Sequence, residues 1–302
     1  MQIGITFPQV ELAGDPEGIR LLAATIEDLG FSHLLAFDHV LGAVHAGRQP
    51  PLWGPYDESD PFHDPFVLFS FLAGRTERLR FVTGVLVLPQ RQTALVAKQA
   101  ADLAILSGNR LRLGVGIGWS PVEYQGLGQD FSSRADRLDE QVPLLRSLWA
   151  ERVVTFSGRF DTIDRAACIP RPAAPIAIWM GGWADAALRR AARLADGFIF
   201  AGDTHRVEAK WQTMKRILEE EGRSSATFGA EAIPATFEDP SDASRFVERW
   251  AEMGGTHVAL SSTGLGFDSP QAHVEYVARL AAALRSTGWD PEPEFALDSN
   301  NQ

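Results

Sequence analysis

The sequence predicts an α/β fold, a (β/α)8 TIM barrel with insertions after strand 2 and between strands 4 and 5, and three observations carry that expectation. Short apolar runs alternate with amphipathic stretches along the whole chain, in about eight consecutive pairs. The runs are too uniformly apolar to face water on one side, which is the pattern of parallel strands covered on both faces. No linker, low-complexity segment or change of composition interrupts the series. Residues 1–302 therefore read as one barrel domain rather than an open doubly wound sheet.

The strands fall at 2–7 (QIGITF), 33–38 (HLLAFD), 79–88, 111–117 (LRLGVGI), 176–180 (IAIWM), 197–201 (GFIFA), 226–233 and 257–262 (HVALSS). Asp15-Pro16 opens the first helix, Ile19, Leu22, Ala23 and Ile26 line one face, and Gly30 stops it. Later helices are expected near 64–75, 93–107, 133–150, 184–195, 206–221, 241–253 and 270–286. Gly108, Gly222 and Gly254 sit where C-cap glycines belong. Two connections are too long for tight turns. Residues 39–63, rich in proline, glycine, histidine and aromatics, should overhang the catalytic mouth. Their rings Trp53, Tyr56 and Phe62, with Phe66 nearby, either wall an apolar substrate or pack the loop down. Residues 151–175 are expected to carry short strands of their own.

Composition narrows the chemistry. One cysteine, Cys168, excludes a disulfide framework and any cysteine-built zinc or iron–sulfur site, and makes a reducing cytoplasm the natural compartment. The start MQIGITFPQV lacks the features of a signal peptide, and no apolar run is long enough to span a bilayer. A net charge of −11 argues against nucleic acid and anionic membrane as partners. The seven histidines show no ligand spacing, so no metal is expected. Lys98, Lys210 and Lys215 all fall on predicted helices, which removes a strand-end Schiff base. Asp38 is the only acid ending one of the first four strands, which disfavours a carboxylate pair of glycosidase type.

The positive features sit at strand ends. In FVTGVLVLPQR, Thr83-Gly84 interrupts a core strand, although glycine there gives up packing and adds chain entropy. Either the strand kinks for packing, or something flat lies on bare backbone. Gly114, Gly116 and Gly118 end the fourth strand at alternate positions, so their missing side chains share one face. That face opens room for a planar ligand or a bulky neighbour. Gly181-Gly182 leads straight from the fifth strand into a helix, as an anion site on backbone N–H groups or an ordinary tight turn. Asp38 and His39 end the second strand. His39 is a candidate proton donor or substrate anchor, and the alternative is that Asp38 caps the loop with His39 exposed. In a barrel these strand ends converge on one mouth, and the combination fits a flavin-like cofactor with a flat ring and a phosphorylated tail.

In order and spacing, IGITFPQ, AFDHV, TGVLVLPQR, LGVGIGWSPVEY and MGGWADAALRRAARLADGF resemble the bacterial-luciferase-like oxidoreductases, and within them the branch using coenzyme F420, the 5-deazaflavin. The resemblance covers roughly residues 1–285. It implies hydride transfer between F420 and a small organic substrate, with an FMN-dependent monooxygenase as the alternative, and it implies a homodimer. By resemblance His39 and Asp38 are catalytic, with Asp38 orienting His39. The cofactor seat maps onto Asp38, Thr83, Gly84, Val85, Gly116, Gly118, Trp119, Gly181, Gly182 and Trp183. A non-proline cis peptide is implied near Gly84-Val85, behind the ring, and the phosphate falls on Gly181, Gly182 and Trp183.

Arg134, Arg137 and Glu140 resemble the family's structural R…E helix, and Arg48 or Arg91 is expected to offset the acidic tail of the cofactor. The chain departs from the branch at one place. Its sugar-phosphate dehydrogenases carry an acid directly after the strand-four glycines; here that position is Trp119, with Glu123 four residues on. A sugar phosphate is therefore not the expected substrate. A barrel that binds a cofactor without catalysis would lack polar strand ends, and Asp38, His39 and the Gly181-Gly182 turn are all present.

Overall fold

The alternation of apolar runs and amphipathic stretches resolves into a closed ring of parallel strands inside a ring of helices. A computed structural model describes residues 1–291; residues 292–302, the end of the expected domain, lie outside that description. Strand β1 (Gln2–Thr6) leads through a single turn, α1 (Gln9–Leu12), into α2 (Pro16–Asp28). β2 (His33–Ala36) is followed by the 39–63 loop and α3 (Pro65–Ala73). The third strand is split into β3 (Arg80–Thr83) and β4 (Leu86–Val87), ahead of α4 (Thr93–Leu106). β5 (Leu111–Gly116) runs into a short α5 (Pro121–Gly126) and then α6 (Arg134–Ala150). β6 (Val154–Ser157) and β7 (Thr162–Ala166) pair as a separate antiparallel hairpin, the excursion expected before the fifth barrel strand. The remaining units are β8 (Ile178–Gly181) with α7 (Asp185–Leu194), β9 (Gly197–Gly202) with α8 (Thr204–Glu220), β10 (Gly229–Pro234) with α9 (Pro240–Glu252), and β11 (His257–Ser261) with α10 (Pro270–Ser286).

The ring runs β3-β2-β1-β11-β10-β9-β8-β5, and both β3 and β4 return to β5 to close it. Local chemistry sets the helix limits. Asp15, Asp64, Ser120, Asp239 and Ser269 each accept a backbone N–H of the first turn, and each is followed by a proline at the first helical position. Gly108 closes α4 at φ +70°, a left-handed value that side chains rarely adopt. Two elements depart from expectation. The run at 79–88 is two strands, with Gly84 and Val85, joined by a cis peptide, between them. At four and six residues, α1 and α5 are too short to show a helical period.

Leu35, Val82, Trp179, Ile199, Ile233 and Ala259 fill the barrel, with Phe37, Val85, Ala177 and Ala201 partly buried against them. At the opposite end from the mouth the interior turns ionic. Glu231, fully buried, takes His33 Nε2 at 2.6 Å and Arg112 Nη2 at 2.5 Å. Burial alone would raise the Glu231 carboxyl, but Arg112 and His33 hold it at about 2. The Arg112 guanidinium lies 4.1 Å over Trp179, whose indole meets His257 edge-on at 4.9 Å. Residues at this end of a barrel serve stability rather than catalysis. Among the described residues no helix is long and apolar enough to cross a membrane.

Candidate active site at the barrel mouth

Beyond β2 the adjacent Asp38 and His39 take up different partners. Asp38 is buried, and its Oδ2 accepts the Val87 N–H at 2.9 Å while Oδ1 takes Arg91 Nη2 at 2.7 Å. The other terminal nitrogen of Arg91 reaches Asp64 at 3.0 Å, the residue that caps α3. Burial pushes the Asp38 carboxyl up, against the pull of Arg91. The expectation that Asp38 orients His39 is thereby corrected: its two oxygens serve Val87 and Arg91, and the imidazole has another partner. Arg91 is no free counter-charge for a cofactor tail either, since two carboxylates already match it. Arg48 donates to the Val44 carbonyl within its own loop.

His39 turns to Glu123 instead. Its Nδ1 lies 3.1 Å from Glu123 Oε2, while Glu123 Oε1 accepts the N–H groups of Val40 at 2.8 Å and Leu41 at 3.3 Å. Burial raises the Glu123 carboxyl, and the bond to His39 with the two N–H groups outweighs it, so the group sits below the usual carboxylate range. Tyr56, Phe62 and Trp119 surround the imidazole at centroid distances of 5.2, 4.9 and 5.6 Å. A Cβ on Gly54 would fall 2.1 Å from the Trp119 ring, so loop 39–63 is pressed onto the mouth. Phe66 is buried in α3, and Trp53 stands in solvent at 83% exposure, so neither joins this aromatic wall.

The strand-end glycines pack against side chains. A Cβ on Gly84 would lie 2.3 Å from Leu35, which answers the glycine in a core strand by packing. Cβ atoms on Gly116 and Gly181 would fall 2.5 and 2.8 Å from the two methyls of Val85, and one on Gly118 would fall 2.6 Å from Val87. Of the two alternatives, the bulky neighbour occupies the glycine face directly, and that neighbour is the bulge itself. Thr83 is buried below it, its hydroxyl donating to the Gly114 carbonyl at 2.6 Å. Phe37, Val85 and Ala201 remain only partly buried at the strand ends, an apolar surface beside the mouth.

At the fifth barrel strand, Gly182 has φ +154°, and α7 starts with no side-chain cap. The Ala187 N–H donates to the Ala184 carbonyl at 2.9 Å, and the N–H groups ahead of it have no side-chain cap and are open to another acceptor. Arg206, from the first turn of α8, stands 5.7 Å over the Trp183 ring, and its stem passes Gly202, where a Cβ would come within 3.2 Å. Neither Glu123 as the partner of His39 nor Arg206 was picked out from sequence. The Ser120-Pro121 pair that starts α5 was a usable signal for the first; Arg206 had none beyond its charge.

Val85, Gly116 and Gly181 thus meet on one side of the mouth, Asp38 joins them through Val87, and His39 and Trp119 form a second group beneath the loop. Glu140 is structural, its carboxylate accepting the N–H groups of Arg159, Phe160 and Asp161 at 2.7, 2.9 and 2.8 Å. Arg137 donates to the Arg91 carbonyl at 3.3 Å, and Arg134 to that of Phe131 at 2.7 Å. A cavity of about 740 Å³ lined by Trp149 and residues 169–176 lies on the barrel flank and contains none of these groups. Among the described residues no cluster of His, Cys, Asp or Glu has the makings of a metal site.

Residues 1–294 match the family described as luciferase-like monooxygenase. The chain belongs to that family. Membership makes it an enzyme of the flavin-type oxidoreductase class, as its motifs imply. An uncharacterized protein of Mycobacterium tuberculosis is 39% identical over 209 residues, covering 68% of this chain and 72% of that one. The F420-dependent glucose-6-phosphate dehydrogenase of Nakamurella multipartita is 33% identical over 187 residues, covering 61% of this chain and 52% of its own. In three dimensions the chain matches monooxygenase RslO1 from Streptomyces bottropensis at a TM-score of 0.76, over 95% of this chain and 99% of that one. At 19% identity this likeness speaks to the fold alone, and it bears out the (β/α)8 barrel.

Proposed function

We propose that the chain is an F420-dependent oxidoreductase in which His39 exchanges a proton with a small organic substrate. One arrangement carries the reading: a histidine held through Nδ1 shares the mouth with a side-chain-free turn, Gly181-Gly182, that opens an uncapped helix. The residues fit a cofactor with a flat ring and an anionic tail. The turn offers N–H groups to a phosphate, Arg206 over Trp183 adds a cation, and Phe37, Val85 and Ala201 offer a ring an apolar surface. When bound, F420 supplies a ring position that accepts or releases a hydride.

The chain's own residues do the rest. Gly181, Gly182 and Trp183 hold the tail, and Val85 backs the ring. Asp38, through the Val87 N–H and Arg91, keeps the β4 bulge in place. Tyr56, Phe62 and Trp119 keep water from His39. A 33%-identical relative that is F420-dependent supports F420 as the cofactor. The test is a fluorescence titration of the purified chain with each cofactor separately. Saturable F420 binding with weaker FMN binding supports the reading; tight FMN binding without affinity for F420 replaces it with an FMN-dependent monooxygenase.

A further inference from the structure

Glu123 is 1% exposed beneath the start of loop 39–63, and one carboxylate there meets three nitrogens. Two of them, the backbone N–H groups of Val40 and Leu41, can only donate. They converge on Oε1 and favour the ionised acid, which has no proton to give back. The third nitrogen is His39 Nδ1, 3.1 Å from Oε2. Facing an acceptor, it too must donate. The proton of the neutral imidazole therefore resides on Nδ1, and the lone pair on Nε2, which has no hydrogen-bond partner among the described residues. The opposite tautomer would aim a lone pair at a carboxylate in a buried setting.

We propose that Glu123 is a positioning residue that holds His39 in its Nδ1–H tautomer, making Nε2 the atom that exchanges a proton at the mouth. The catalytic half of this inference rests on the proposed role of His39; the tautomer does not depend on any cofactor. Because the same carboxylate anchors Val40 and Leu41, one group sets both the imidazole and the first residues of the overhanging loop. Asp38, adjacent in sequence, takes no part, since its oxygens are bound elsewhere.

Glu123→Gln separates the two duties. Its amide oxygen still accepts from Val40 and Leu41, but its NH2 now donates toward Nδ1, so the neutral ring must carry its proton on Nε2. Long-range 15N–1H NMR of the full chain, labelled at histidine, free of cofactor and at alkaline pH, reads the tautomer directly; loss of the signal in His39→Asn assigns it. The expected result is Nδ1–H in the parent and Nε2–H in E123Q. Nε2–H in the parent overturns the proposal even if E123Q does not fold, and so does the same tautomer in both proteins. With F420 and an accepted substrate, E123Q is expected to lower kcat on the order of a hundredfold while leaving the F420 Kd within about threefold. An unchanged kcat overturns the catalytic half. Failure of F420 to bind sinks the cofactor reading and leaves the NMR result standing.

Discussion

Arg91 joins Asp38 to Asp64, one terminal nitrogen to each at 2.7 and 3.0 Å, and so ties the end of β2 to the first turn of α3 across the long loop between them. Removing one partner of a buried pair costs about 3–5 kcal/mol, because the other charge is left unmatched. Here Asp38 is buried and already pushed toward the protonated state, so part of that cost is escaped by taking up a proton. Arg91→Met is expected to lower unfolding stability in urea by about 2–3 kcal/mol, and Asp38→Asn added to it to restore part of the loss. A loss below about 0.5 kcal/mol would mean that the bridge is not a tie, as is common for exposed pairs.

Val85 and Gly116 give a sharper test, because the cause is steric. Gly116 is not among the positive-φ glycines, so alanine suits its backbone, yet a Cβ would fall 2.5 Å from a Val85 methyl. Gly116→Ala is expected to destabilise by about 1–3 kcal/mol, as overpacking does. In a Val85→Ala background the same substitution should cost about 1 kcal/mol less. Additive losses in the double-mutant cycle would show that the glycine answers some other need.

The parts of the fold legible in the sequence are those governed by local rules. Each barrel strand is a largely apolar run, and Asp or Ser before Pro announces half of the helix starts, including those of α2, α3 and α9. The site was legible in its positions and less so in its partners. That Asp38 and His39 stand at the end of the second strand follows from its apolar run; that one meets Arg91 and the other Glu123 depends on contacts 53 and 84 residues away. Gly84 announced a disturbance in its strand, but only the packed structure identifies Leu35 as the side chain that needs the space. Periodicity says which face is buried, not which long-range neighbour lies against it.

The ionic end of the barrel makes the fold acid-sensitive. Burial first, and Arg112 next, lower His257 from 6.5 to about 2. Between those values the unfolded chain binds a proton that the folded chain refuses, so stability falls as pH drops below 6.5. The slope from one such histidine is about 1.4 kcal/mol per pH unit, or about 2 kcal/mol by pH 5. Glu231 acts in the same direction lower down. Its contribution is complete above 4.5 and is lost as pH falls toward about 2. Urea unfolding at pH 7 and 5 should therefore record a loss that His257→Gln reduces. Equal losses in the two proteins would place the acid sensitivity elsewhere.

Two substitutions at the mouth are expected to separate tail binding from chemistry. At Gly182, φ is +154° and a Cβ would meet that of Ala187 at 2.9 Å, so a side chain both strains the turn and crowds the start of α7. Gly182→Val should weaken F420 binding by about tenfold or more, the scale of one lost charge-assisted contact, with only a small fall in Tm. His39 makes no such contact with the tail in the proposed arrangement. His39→Ala should leave the F420 Kd within about threefold and lower turnover on the order of a hundredfold or more, as loss of an acid–base group does. Fluorescence titration gives the first quantity for both proteins, and steady-state reduction or oxidation of F420 gives the second. If His39→Ala abolishes cofactor binding while Gly182→Val leaves it intact, the tail and the ring have been assigned to the wrong ends of the mouth.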